Sequence, residues 1–349
     1  MFNNNVNLLL VTCLLLIMCA GTGAQSDDLG IDYCALLAEP DCLILEANEE
    51  AMRNVSSYAV AFALTGEINN TNMTGGSQQK AFVVSGETQL AFDAEAAAGG
   101  PAISADATQE ERAALFERIL TSITGALSMT ITATSSEGTS EITINALMDN
   151  GVYLVDSATL ESLTDEPMEG VEWLGVDITG ALETLMAMPD IASSVDIISM
   201  PGIADLEGLE QVLTVTRLPD SEVNGVDVAV FDYEFDLPAL LELPGLNERA
   251  MQLSEADAPL KAGMLDIVEN MRVSARTSVG LADFYTYHTL INFSIELDGE
   301  SMGNADGSLV SAQFNIEADM SEHGQPVSVE IPEDAFILPL SLLLEMGSQ

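Results

Sequence analysis

The side chains best able to do chemistry are two histidines, four cysteines and a large excess of carboxylates. The chain has 349 residues, of which 56 are acidic and nine are lysine or arginine. A catalytic base would have to be His288 or His323. His288 lies in a strand-like run and His323 in a turn-like segment, so both positions favour structural roles. With 56 carboxylates, choosing any one pair for glycoside hydrolysis has no basis.

Several motifs of catalytic and nucleotide-binding sites are missing. The sequence has no His-Glu-x-x-His, no phosphate-binding glycine loop and no dinucleotide fingerprint. Aromatic residues make up 5% of the chain, which also weakens the case for a sugar-stacking platform. We therefore predict that the protein is not an enzyme and that it uses no cofactor.

Cysteine spacing predicts one disulfide. Cys34 and Cys42 lie eight positions apart, beyond the N-terminal apolar segment, and an even pair in an exported chain favours a local bond between them. A zinc site built from cysteine and histidine would have too few ligands, and we predict no metal site.

The N-terminal 24 residues have the composition of a signal peptide. They contain no ionisable side chain, their apolar core spans residues 8–18, and the small residues Thr22 and Ala24 fit a cleavage site. We predict a signal peptide over residues 1–24 and export to the periplasm, cell surface or exterior. A buried first helix and lipid anchoring at Cys19 are the alternatives.

The charge of the chain excludes several classes of partner. A formal net charge of -47 opposes binding to nucleic acid and docking on anionic lipid head groups. Acidic residues are spread along the chain, which favours a salty or divalent-rich exterior. Beyond the first 24 residues no apolar run reaches membrane-spanning length. A protein partner is not indicated.

Alternating apolar residues and turn signals predict the fold class. Residues 57–65 alternate with period two, and Asn150-Gly151 and Asn224-Gly225 are strong tight-turn signals. The order of elements predicts an α+β fold, a large curved antiparallel sheet (a half-open barrel) with helices on its concave apolar face. We also predict a helix over 108–127, a last strand over 327–331 and a docking segment over 336–344. Residues 25–349 form a single domain in this interpretation; the alternative is two halves splitting near 205.

A methionine- and leucine-rich stretch follows the only tryptophan. Its apolar side chains could line a deformable cavity or act as a lid over it, and they could equally be ordinary core. The candidate cavity or lid residues are Tyr58, Phe62, Trp173, Leu182, Leu185, Met186, Ile197 and Met200.

The order of short patterns resembles the bacterial LolA/LolB and LppX/LprG-type carriers. The matching stretches are residues 56–60, 151–154 before Trp173, 223–227 and 326–335. The resemblance implies a half-open antiparallel barrel around helices and a cavity for acyl chains. It predicts an exported carrier or sensor of a hydrophobic, lipid or acyl-chain ligand. The alternative is a secreted or cell-surface interaction domain with a filled core and no ligand.

Overall fold

A computed structural model describes ten stretches of the chain. They are residues 31–71, 77–92, 121–136, 138–164, 168, 170–179, 209–240, 243, 269–298 and 309–339. The predicted signal peptide, Cys19 and the boundary near 205 lie outside the described residues. So do five of the candidate cavity residues, namely Leu182, Leu185, Met186, Ile197 and Met200.

Strands dominate the described part. The helices are α1 (Tyr33–Leu36), α2 (Glu39–Arg53), α3 (Ser157–Thr164) and α4 (Leu237–Leu240), with a 3-10 turn at Leu209–Gln211. The strands are β1 (Ser57–Thr71), β2 (Ser77–Phe92), β3 (Ile123–Ser135), β4 (Gly138–Asp149), β5 (Val152–Asp156), β6 (Trp173–Asp177), β7 (Leu213–Val223), β8 (Val226–Phe235), β9 (Met271–Gly280), β10 (Thr286–Asp298), β11 (Leu309–Ser321) and β12 (Phe336–Pro339).

All twelve strands belong to one sheet with the order β12-β6-β5-β4-β3-β2-β1-β11-β10-β9-β8-β7. Each neighbouring pair is antiparallel except β12 and β6, which run parallel. The sheet does not close on itself, because β12 and β7 remain its two edges. Pairing of β1 with β11 joins the two halves of the chain. The predicted α+β class with a large open antiparallel sheet is confirmed.

Both predicted Asn-Gly turns are present. Asn150 and Gly151 have φ of 47° and 86°, and Asn224 and Gly225 have φ of 51° and 85°. Two successive residues with positive φ match the right-handed twist of the flanking strands, and asparagine and glycine accept that conformation most readily. The turns connect β4 to β5 and β7 to β8.

The structure differs from the prediction at three places. Residues 123–127, which we expected to end a helix, begin β3, where the burial alternates with period two. Residues 327–331 have no regular secondary structure, and prolines at 326 and 332 flank them and lack the N–H that strand pairing uses. The last strand is instead β12, inside the segment predicted only to dock, and it pairs with β6.

Helix α2 covers part of the apolar side of the sheet. Near its start, Cys42 and Leu45 pack in a cluster with Phe231 on β8. Near its end, Met52 packs in a second cluster with Tyr58 on β1. Glu39 and Asp41 lie in its first turn and Arg53 in its last, as the helix dipole favours.

The predicted disulfide is confirmed. Cys34 of α1 is bonded to Cys42 of α2, and the two Cα atoms are 5.0 Å apart. Since Cys42 is fully buried in the first cluster, the bond fixes the short helix α1 to the covered part of the sheet.

Candidate functional site

One face of the central strands is apolar and the other is polar. On β1, Tyr58, Val60, Phe62 and Leu64 share a face because side chains alternate along a strand. The register places Tyr58 opposite Leu90 of β2. We call this side of the sheet the apolar face.

One end of the apolar face is tightly packed. Tyr58 is 2% exposed, Val60 6% and Leu90 6%, and all three pack in one cluster with Met52 of α2 and Met320 of β11. We call these five residues the packed end.

The other end of the apolar face carries a row of phenylalanines. Phe82 of β2 and Phe314 of β11 both pair with Gly66 of β1, and Phe293 of β10 pairs with Phe314. The ring centroids of Phe82 and Phe314 are 5.8 Å apart, and those of Phe293 and Phe314 are 5.6 Å apart. All three rings are only half-buried. We call Phe82, Phe293, Phe314 and Gly66 the aromatic row.

Gly66 makes the aromatic row geometrically feasible. A Cβ atom at this position would lie 2.3 Å from the Phe82 ring and 2.9 Å from the Phe314 ring. Because the glycine has no side chain, the two rings from neighbouring strands close over its Cα atom. The result is a broad aromatic surface rather than a set of separate side chains.

The hydroxyl of Tyr58 is a polar group inside the packed end. It is buried and makes no hydrogen bond with the described residues. Burial raises the pKa of Tyr58 because the charged phenolate would be desolvated. Its ring contacts Phe92 with a centroid distance of 5.8 Å.

The structure brings together two of the candidate cavity residues and separates a third. Tyr58 and Phe62 both lie on the apolar face, four residues apart on β1. Trp173 pairs with Asp156, whereas its neighbour Leu174 pairs with Val155 on the side of the apolar face. Trp173 therefore projects from the opposite face of the sheet and is not part of the same surface.

Sequence analysis did not identify the aromatic row. Its members come from four strands and span 248 positions from Gly66 to Phe314. The period-two alternation along each strand indicates which of its residues share a face. It does not indicate the register between strands, which decides which residues become neighbours.

A polar depression lies beside the end of β10. It has a volume of about 330 Å³, and Asp283, Tyr285, Tyr287, Glu322 and His323 are among its lining residues. The rings of Tyr285 and His323 stack with centroids 4.7 Å apart, and Tyr287 meets His323 edge-on at 5.2 Å.

Hydrogen bonds hold this aromatic group in place. Nε2 of His323 lies 2.9 Å from the Thr286 carbonyl oxygen, and the Tyr287 hydroxyl donates to Asp283 over 2.6 Å. Burial lowers the pKa of His323, while the bond to Thr286 and the charge of Asp283 act in the opposite direction. Burial and the bond to Asp283 raise the pKa of Tyr287 to about 12. The stacked, hydrogen-bonded ring of His323 has the contacts of a structural histidine.

A Gly-x-Ser-x-Gly sequence occurs at residues 299–303, outside the described residues. A serine hydrolase places this motif between a strand and a helix, where the turn exposes the nucleophile. Here the flanking elements are β10 and β11, which pair with each other from Asp298 and Leu309 onward. The described elements on either side of the motif are thus both strands, whereas a nucleophile elbow is followed by a helix.

Among the helices of the described ranges, none combines the length and the apolar composition that crossing a membrane requires.

The sequence matches no protein-family model and no curated protein. Among solved structures it is similar to lipoprotein LppX from Mycobacterium tuberculosis, with 10% identity and a TM-score of 0.32 over 86% of this chain and 100% of that chain. It is similar to LprF from Mycobacterium bovis with 9% identity and a TM-score of 0.34, over 85% of this chain and 98% of that chain. It is also similar to a LolA superfamily protein from Nitrosomonas europaea with 9% identity and a TM-score of 0.17, over 84% of this chain and 95% of that chain. Each of these similarities extends over most of this chain and of the solved structure.

Proposed function

We propose that the protein is an exported, non-enzymatic carrier or sensor that binds a lipid or acyl chain against the apolar face. The observation that supports this most directly is the aromatic row, three half-buried rings on the same face as the packed end. Removing the exposed part of this aromatic surface from water lowers the free energy of the complex by about 25 cal/mol per Å² of apolar surface. An acyl chain lying along β1 provides that cover.

The size and chemistry of the row suit an aliphatic ligand. Phe62 and Leu64 extend the same face from the row toward the packed end, and both are half-buried. The side chains on this stretch are hydrocarbon, so contact with an acyl chain requires no polar group to lose its hydrogen bonds. The Tyr58 hydroxyl lies beyond them, buried under the end of α2, and it could donate only to a polar group that enters the packed end.

A second candidate is an interaction domain with a filled core and no ligand. It is favoured by the cluster of Val84, Leu127, Met129, Ile131 and Ile144, which is buried between the aromatic row and β4. If this alternative is correct, the phenylalanines form the edge of an ordinary hydrophobic core.

Lipid analysis of the purified protein separates the two functions. We expect mass spectrometry of an organic extract to find co-purified lipid, and a fluorescent fatty acid to bind the delipidated protein. An extract without lipid, together with no binding of the fluorescent fatty acid, would contradict the carrier proposal.

Two neighbouring substitutions on β1 test the location. Leu64→Asn places an amide on the apolar face, whereas Thr65→Asn places the same amide on the polar face. We expect Leu64→Asn to weaken binding of the fatty acid by about tenfold or more, because burial of a leucine is worth about 1.5–3 kcal/mol. Thr65→Asn should bind as the unaltered protein does. Equal binding by both variants, each folded by circular dichroism, would place the ligand elsewhere.

The export part of the proposal has its own test. Its support is the composition of the N-terminal 24 residues. N-terminal sequencing of the protein recovered from its native host should begin at Gln25. A chain that begins at Cys19 would identify a lipid anchor, and an intact Met1 in the cytoplasm would contradict export.

A further inference from the structure

The polar face of the sheet brings three potential metal ligands together. His288 of β10 lies directly opposite Asp319 of β11, and Glu317 is two residues from Asp319 on the same strand. Residues two apart on a strand share a face, so all three side chains project from the same side of the sheet. One ligand atom from each of the three lies within 4.8 Å of the others.

A β-bulge directs His288 to this face. Thr286 pairs with Val279, and His288 pairs with Ser278. Between these two pairs, β10 advances by two residues whereas β9 advances by one. Val279 belongs to the buried core, and its partner Thr286 is also buried and donates its backbone N–H to the sulfur of Met52 of α2. The bulge therefore turns His288 away from the interior and beside the carboxylates, a re-aiming that bulges commonly provide next to functional sites.

The distances are close to those that a bound ion requires. Nδ1 of His288 lies 2.9 Å from Oδ1 of Asp319. Two ligands of a tetrahedral Zn²⁺ are about 3.4 Å apart, since each lies about 2.0–2.2 Å from the ion. Small side-chain rotations suffice to replace the histidine–aspartate hydrogen bond by two bonds to a metal.

The ligand set is open to solvent on one side. The residues of β1 opposite Asp319 and Glu317 are Ala61 and Ala63, whose methyl groups cannot cover the carboxylates. The side chain of His288 is 19% exposed and that of Asp319 is 44% exposed. An ion held here has three protein ligands and keeps water in its remaining position.

The local charge favours a cation. Within the described ranges, the ion pair of Asp319 is with His288, and no lysine or arginine forms an ion pair with Glu317. The nearest arginine on this face of β9, Arg276, is paired with Asp232 at 2.9 Å. Among the residues with described positions, the two carboxylates thus have no lysine or arginine partner, and the chain has a net charge of -47.

We propose that His288, Glu317 and Asp319 form a binding site for one divalent transition-metal ion. The imidazole ligand distinguishes this site from the many carboxylates of the surface, because Ca²⁺ and Mg²⁺ prefer oxygen ligands whereas Zn²⁺, Ni²⁺ and Cu²⁺ accept nitrogen. The site lies on the opposite side of the sheet from the aromatic row, so it is independent of the proposed carrier function.

Zinc titration tests the site. After treatment with a chelator, the full protein should bind one Zn²⁺ in isothermal calorimetry, in the presence of excess Ca²⁺ to occupy diffuse carboxylate sites. His288→Gln and Glu317→Gln should each weaken this binding by at least about tenfold. His323→Gln is the matched control, because it removes the only other histidine and should leave zinc affinity unchanged.

Proton NMR gives a second readout that a purely structural role would not produce. With two histidines in the chain, Zn²⁺ should shift the ring signals of His288 and leave those of His323 in place. Glu317 is exposed, so Glu317→Gln keeps the test decisive if His288→Gln fails to fold. Absence of zinc binding, or zinc binding that persists unchanged in folded His288→Gln and Glu317→Gln variants, would overturn the proposal.

Discussion

The packed end and the aromatic row lie on the same face of β1, β2 and β11, yet their burial differs. At the packed end, Tyr58 and Met320 are 2% and 7% exposed. Six to eight residues further along β2 and β11, Phe82 and Phe314 are half-buried, as is Phe293 on the adjacent β10.

The difference arises from the element that covers each end. Met52 and Val55, at and just beyond the end of α2, pack on Tyr58 and remove it from solvent. Alternation along a strand decides which face is apolar, but a second element decides how completely that face is buried. The same sequence pattern therefore produces ordinary core at one end and a candidate binding surface at the other.

Matched leucine truncations should separate the two ends most strongly. Leu90 belongs to the packed end, whereas Leu64 is half-buried beside the aromatic row. We expect Leu90→Ala to lower the free energy of unfolding by about 2–4 kcal/mol, and Leu64→Ala to lower it by less than about half as much, because a half-buried site leaves less cavity. Urea denaturation of the delipidated proteins measures both, and equal losses would contradict the distinction.

Tyrosine-to-phenylalanine changes should have opposite signs at two places. The Tyr58 hydroxyl is buried without a hydrogen bond among the described residues, whereas the Tyr287 hydroxyl donates to Asp283 over 2.6 Å. Tyr58→Phe removes an unsatisfied polar group and should raise the free energy of unfolding by about 1 kcal/mol. Tyr287→Phe removes the hydrogen bond to Asp283 and should lower the free energy of unfolding by about 0.5–1.5 kcal/mol.

The same denaturation experiment checks the Tyr58 result against the carrier proposal. If the Tyr58 hydroxyl donates to a bound ligand, Tyr58→Phe should be stabilising only after lipid has been removed. Destabilisation of the delipidated protein by Tyr58→Phe would show that the hydroxyl has a partner at the packed end.

The smallest expected effect is a pH dependence due to His323. Burial lowers the pKa of this histidine, so the folded state takes up its proton less readily than the unfolded chain. Its contribution to stability is complete above the histidine's ordinary pKa and is lost as pH falls through that pKa toward the lower folded value. We therefore compare the melting temperatures at pH 7.5 and pH 5.5, about one unit above and below the usual histidine pKa of about 6.5. Between these two pH values, the melting temperature of His323→Gln should fall less than that of the unaltered protein.

Comparison with a variant removes the contribution of the acidic residues from that measurement. Asp283, Tyr285 and Tyr287 all face His323, and the charge of Asp283 partly opposes the effect of burial. If the two proteins lose stability in parallel over this pH range, burial does not control the protonation of His323.

Local features were predictable from the sequence because they depend on neighbours along the chain. The Asn150-Gly151 and Asn224-Gly225 turns need only two residues that tolerate positive φ, and the disulfide joins residues eight positions apart. The alternation on β1 likewise identified Tyr58 and Phe62 as members of one face.

Features that depend on register were not predictable in the same way. The proposed metal site joins His288 to a residue 31 positions away, and the bulge that sets the face of His288 lies between β10 and β9. Trp173 was named as a candidate cavity residue, but its strand places it on the opposite face from Leu174. A one-residue change in register exchanges the two faces of a strand, and no local pattern specifies it.

In the part of the chain that the structure describes, the open sheet ends at β12 and β7, and both of these edge strands contain a proline. Pro219 lies where the β7 register shifts, next to Asp220, and Pro339 ends β12. Proline has no N–H to offer an incoming strand, and a charged side chain at an irregular edge further discourages pairing. These two edges therefore discourage the addition of a strand from another molecule, the step by which an open sheet extends into a fibre.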